Sequence, residues 1–93
     1  MELKIIWTKR AKNNYTKILD YIVNEFGNNS GRNYHERVEK LINLLQSFPE
    51  LGTRQSKLNN LYGIILYRRT TIFYTFNKKT ILIINVVDNR WKK

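Results

Sequence analysis

Between residues 51 and 93 the chain carries nine cations, Arg54, Lys57, Arg68, Arg69, Lys78, Lys79, Arg90, Lys92 and Lys93, against Asp88 as the only acid. Guanidinium and ammonium groups at that density can hold phosphate oxygens through charge-assisted hydrogen bonds, or stabilise the charge that builds up on a phosphorane-like transition state. Tyr62, Tyr67 and Tyr74 lie among them. Interleaved aromatic rings offer stacking surfaces for bases, and their phenols can in principle move protons. Strand tyrosines more often simply pack, and a basic face can serve solubility alone.

Other chemistries find few residues. The chain has no cysteine and a single histidine, His35, set beside Tyr34, Glu36 and Arg37. That context predicts a solvent-facing imidazole. With no acid pair in the basic half and no thiolate, neither a metal site nor a cofactor is expected. No Ser-His-Asp set, Cys-His pair or phosphate loop is present.

The charge is unevenly placed. Of the formal net +10, residues 1–50 hold eight cations against six acids, so the second part of the chain carries +8. A field of that sign favours a polyanionic partner, either nucleic acid, an acidic protein or an anionic surface. The absence of a leader pattern and of an apolar run near the ~18 residues needed to span a bilayer leads us to expect a cytoplasmic protein.

The elements that must position these cations follow from periodicity. "LKIIW" (3–7) reads as a strand, and Thr8 as the N-cap of a helix whose apolar face is Ala11, Tyr15, Ile18, Leu19, Ile22, Val23 and Phe26. Gly27 ends it and "NNSG" is read as the turn. Tyr34, Val38, Leu41, Ile42, Leu45 and Phe48 mark a second helix, stopped by Pro49. "LYGIILY" (61–67), "TTIFYTF" (70–76) and "TILIINVV" (80–87) are β-branched and aromatic, with "RR" and "NKK" as tight turns, so they read as a meander.

The last strand is apolar on both sides and is therefore placed centrally, beside residues 3–7. We expect a single α+β domain over residues 1–93, in the order β-α-α-β-β-β, with an antiparallel helical hairpin on one face of a mainly antiparallel sheet. The opposite face would stay open. Arg54 and Lys57, in the segment "PELGTRQSKLNN", would border it, and the central strand would deliver Arg90 close by. Arg68 and Arg69 would lie at an end of the sheet, with the register undetermined. Trp7 is expected in the core, whereas Trp91 could cap the sheet or touch a partner.

"IIWTKRAKNNYTKILDYI", a second helix closing on "LLQSFPELGTR", and "TIFYTFNKKTILIINVVDNR" together resemble the RelE/ParE family of toxins from bacterial type II toxin-antitoxin modules. The likeness runs over residues 5–90. Its most specific parts are the opening around Trp7 and Ala11, the set Pro49, Gly52 and Arg54, the strand Ile72-Phe73-Tyr74, and the ending Val86, Asp88 and Arg90. It implies the same β-α-α-β-β-β order and a cognate antitoxin from an adjacent gene, with an acidic tail that wraps the toxin.

Two targets are open under that resemblance. ParE-like members poison DNA gyrase, for which Arg54, Lys57 and Arg90 would be contacts. RelE-like members cut messenger RNA on the ribosome without a metal, for which Arg54, Lys57, Arg68, Arg69, Tyr74 and Arg90 are the candidate catalytic groups. The opening around Trp7 and Ala11 looks ParE-like. The ending "DNRWKK", which lacks the terminal Tyr or His of the nucleases, and Gly63, where relatives commonly carry arginine, depart from the nuclease pattern. A non-toxic nucleic-acid-binding module is the remaining alternative, on charge alone.

Overall fold

Thr8 joins the first strand to the first helix and ties both to the centre of the sheet. In the computed structural model, which describes residues 3–56, 60–66 and 69–89, β1 (Lys4–Trp7) leads into α1 (Lys9–Phe26). The Thr8 hydroxyl accepts from the Ala11 amide at 3.0 Å, satisfying a donor that the helix start leaves orphaned, and donates to the Ile84 carbonyl at 2.8 Å. α1 buries Ala11, Ile18 and Ile22. α2 (Asn28–Ser47) buries Val38, Ile42 and Leu45 against it.

The reversal between the helices is tighter than the sequence predicts. "NNSG" is not a turn: α2 already begins at Asn28, and Gly27 alone, at φ 95°, breaks the helix and redirects the chain. Gly31 has a packing role instead. A Cβ there would lie 2.4 Å from the stiff Val23 side chain, so its absence lets the helices close on each other.

Pro49–Leu51 forms a 3-10 turn, followed by β2 (Thr53–Arg54), β3 (Tyr62–Leu66), β4 (Thr70–Phe76) and β5 (Thr80–Asp88). The five strands lie in the order β1-β5-β4-β3-β2. β5 is an interior strand beside residues 3–7 as expected, parallel to β1 and antiparallel to β4, which is the middle strand. The two-residue β2 is an addition to the expected order, since Thr53 pairs with Gly63 and Arg54 with Tyr62.

The pairing of β4 with β5 is interrupted once. Phe73 pairs with Asn85 but Tyr74 with Ile83, which leaves Ile84 as an extra residue in β5. This bulge lies where β1 departs, and it is the Ile84 carbonyl that takes the Thr8 hydroxyl. The helices cover the sheet face that carries Ile72, Tyr74, Ile81, Ile83 and Val86, all of them buried.

Candidate target-binding surface

The candidate residues Arg54 and Tyr74 meet through the backbone between them. Tyr74 is fully buried in β4, yet its hydroxyl donates to the Pro49 carbonyl at 2.7 Å and accepts from the Gly52 amide at 2.9 Å. Burial pushes the phenol above its ordinary pKa, outweighing the Gly52 hydrogen bond, so the hydroxyl stays neutral and keeps its proton to donate. Gly52 fits this contact because it has no side chain. A Cβ would fall 2.7 Å from the Tyr74 oxygen and 2.8 Å from the Gly63 carbonyl oxygen. Tyr62 stacks on Tyr74 with ring centroids 5.6 Å apart.

Two residues past Gly52 the chain reaches Arg54, exposed on the outermost strand, with its Nε donating to the Ser56 carbonyl at 3.1 Å. Register decides its face, because direct cross-strand partners share one. Arg54 pairs with Tyr62, Tyr62 with Tyr74, and Tyr74 with Ile83, which is the helix-covered side. The residue expected to border the open face thus belongs to the other face. Its neighbour Thr53 is on the open side, in line with Gly63, Phe73 and Asn85. Alternation in a two-residue edge strand sets this, and a one-residue slip would reverse it.

Arg69 occupies a different place, in the turn between β3 and β4. Thr70 pairs with Asp88, so this turn lies beside the end of β5. The Asn89 amide donates to the Arg69 carbonyl, and the Thr71 hydroxyl donates to the Asn89 side-chain oxygen at 2.9 Å. Asp88 and Thr70 are both buried, and Tyr34 of α2 hydrogen-bonds the Thr70 hydroxyl at 2.9 Å. The strand thus fixes the chain as far as Asn89, one residue short of Arg90. Lys57, Arg68, Arg90 and Trp91 lie outside the described residues.

The described cations of residues 51–89 do not converge. Arg54 is level with Tyr74, and Arg69, five residues away, is about 16 Å further along the strands at ~3.3 Å per residue. Lys78 and Lys79 follow the seven-residue β4 at its opposite end, roughly 20 Å from Arg69. These separations exceed the ~8 Å screening length of physiological salt, so the described charges act as local contacts around the sheet's perimeter.

Between them lies an open-face groove of about 1170 Å³. Its floor includes Gly63, Ile65, Phe73 and Val87, and its walls include Asn14 and Lys17 of α1 together with Gln55, Thr71 and Asn89. Ile65 is 63% exposed. Asn14 donates to the Asn85 side-chain oxygen at 2.6 Å, which fixes α1 along the rim. Sequence reasoning missed these amides. Asn14 and Lys17, at i and i+3 on the polar side of α1, were the available signal.

His35 is solvent-facing as expected, but engaged. Its Nδ1 bonds the Tyr15 hydroxyl across the two helices, and its Nε2 lies 3.4 Å from the Glu39 carboxylate. Burial raises the Tyr15 pKa, reinforced by Tyr34 and Glu39, so the phenol keeps its proton. Trp7 is half-buried and tilts against Tyr15 with centroids 5.6 Å apart. Among the described residues no three His, Cys, Asp or Glu side chains gather as a metal-ligand set, and no helix is long and apolar enough to cross a membrane.

The family model described as the ParE toxin of type II toxin-antitoxin system, parDE, matches residues 5–90. The chain therefore belongs to the ParE toxin family. Among solved structures it is similar to the chromosomal ParDE toxin-antitoxin system from P. aeruginosa, with a TM-score of 0.77, 18% identity, and 94% of this chain and 96% of that one covered. It is also similar to the E. coli DinJ-YafQ toxin-antitoxin complex, with a TM-score of 0.64, 8% identity and coverage of 97% and 96%. Among curated proteins no match was found.

Proposed function

We propose that this toxin arrests bacterial growth by binding and poisoning DNA gyrase, and that a cognate antitoxin with acidic character neutralises it in the cytoplasm. The observation that carries this reading is the family match over residues 5–90. The chemistry of the sheet supports it. RNA cleavage needs a proton-transfer group beside the cations, yet the described sheet tyrosines, Tyr62 and Tyr74, both lie on the helix-covered side, and the Tyr74 hydroxyl is occupied by backbone. The tail after Asp88 has no Tyr or His.

Arg54, Lys57 and Arg90 are the target contacts in this reading. The +8 of residues 51–93 suits an acidic antitoxin segment, which speeds encounter and discriminates against wrong partners. Inducing the chain alone in a bacterium tests the target class: DNA synthesis is expected to stop before protein synthesis. Protein synthesis stopping first, with codon-linked cuts on primer extension of translated messages, would replace gyrase by ribosome-dependent RNA cleavage.

A further inference from the structure

Tyr74 does two things that a packing residue need not do. Its ring is sealed in the core, and its single hydroxyl spans the 3-10 turn, giving its proton to Pro49 and taking one from Gly52. Nothing else among the described contacts ties the Gly52 amide down. Beyond Gly52, among the described residues, come a two-residue strand and a further backbone bond from the Gln55 N–H to the Leu61 carbonyl at 2.7 Å. Such a short edge strand is weakly determined by its own pairing, and a slip of one residue exchanges the faces of Thr53 and Arg54.

We propose that Tyr74 is a positioning residue for Arg54: its hydroxyl clamps the Pro49–Gly52 turn and thereby selects the register in which Arg54 pairs with Tyr62. The inference rests on the reading of Arg54 as a target contact. It assigns Tyr74 a role other than proton transfer, although its position in the sheet had made it a candidate acid or base. Tyr74→Phe is the informative variant, because it keeps the stacked ring and removes only the clamp. Gly52→Ala reaches the same segment from the other side, since its Cβ would collide with the Tyr74 oxygen and with the Gly63 backbone.

The test is a double-mutant cycle on growth arrest, comparing full-length wild type, Tyr74→Phe, Arg54→Ala and the double variant at measured soluble amounts per cell. Hydrogen exchange on the purified toxin-antitoxin complexes accompanies it. Arg54→Ala is expected to weaken arrest roughly tenfold, the scale of one lost charged hydrogen bond, and Tyr74→Phe roughly threefold to tenfold. The double variant should be no weaker than Arg54→Ala, because a residue that acts through Arg54 has nothing left to position.

Exchange should speed up more at Gly52–Gln55 than in β4 and β5 in Tyr74→Phe, because the core strands feel only the loss of global stability, and Gly52→Ala should reproduce the loss of potency. Losses that multiply in the double variant, or a fully potent Tyr74→Phe, would overturn the inference while the toxin reading stands. A fully potent Arg54→Ala would overturn it too and remove Arg54 from the contact surface. A wild-type chain that arrests nothing would bring down the functional reading and this inference with it.

Discussion

The sheet presents two arginines by opposite means. At its outer edge, the segment carrying Arg54 is held by a core residue, since the buried Tyr74 reaches out to two backbone groups of the turn. At the end of β5, the turn carrying Arg69 is held on its outer side by the Asn89 amide and the half-buried Thr71–Asn89 pair, beside the buried Thr70 that Tyr34 hydrogen-bonds. Stability and presentation of the cation are therefore coupled at the first place. At the second they are nearly separable. A toxin clamped from its core cannot lose the clamp without losing stability, whereas the half-buried Thr71–Asn89 pair at the β5 end can vary at little cost.

That contrast fixes an order of effects. Tyr74→Ala, which removes a buried ring and both clamp bonds, should cost about 3–5 kcal/mol in urea denaturation. Tyr74→Phe should cost about 1–3 kcal/mol, because the Gly52 N–H and Pro49 C=O lose their partner. Thr8→Ala, which loses an N-cap and the bond to the β5 bulge, should cost about 0.5–2 kcal/mol by the same measurement. Thr71→Val at the β5 end should cost at most about 1 kcal/mol. A Thr71→Val loss as large as that of Tyr74→Phe would erase the distinction between the two regions.

The smallest effect is one of pH, at the helix hairpin. The folded-state pKa of Tyr15 lies above its ordinary value of 10.0. The stability this contributes is fully present below pH 10, and it is lost as the pH rises above that value, where the unfolded chain ionises and the folded one resists. Denaturation midpoints of wild type should therefore fall more steeply between pH 9 and pH 11 than those of Tyr15→Phe. Parallel profiles would mean that Tyr15 is as easily ionised in the fold as outside it.

Much of this fold is legible in the sequence, because helix and strand periods are local. The apolar spacing from Ala11 to Ile22 and from Val38 to Leu45 gives the two helices and their inner faces. The apolar run at 80–87 gives an interior strand. What escapes depends on distant partners. "NNSG" reads as a turn because a turn glycine and a packing glycine look alike until Val23 is seen against Gly31. The face of Arg54 rests on the register of two residues in β2, which no period can reveal. The hydroxyl of Tyr74 meets backbone 22 and 25 residues away, so the sequence shows a tyrosine in a basic region and not the task it performs.

The target is tested most directly with purified gyrase. In a supercoiling assay on relaxed plasmid, the toxin freed from its antitoxin is predicted to block supercoiling or accumulate cleaved DNA, and Arg54→Ala to do so roughly tenfold less well. Gyrase that supercoils at its normal rate, with no cleaved DNA, at toxin concentrations that halt growth would contradict gyrase poisoning.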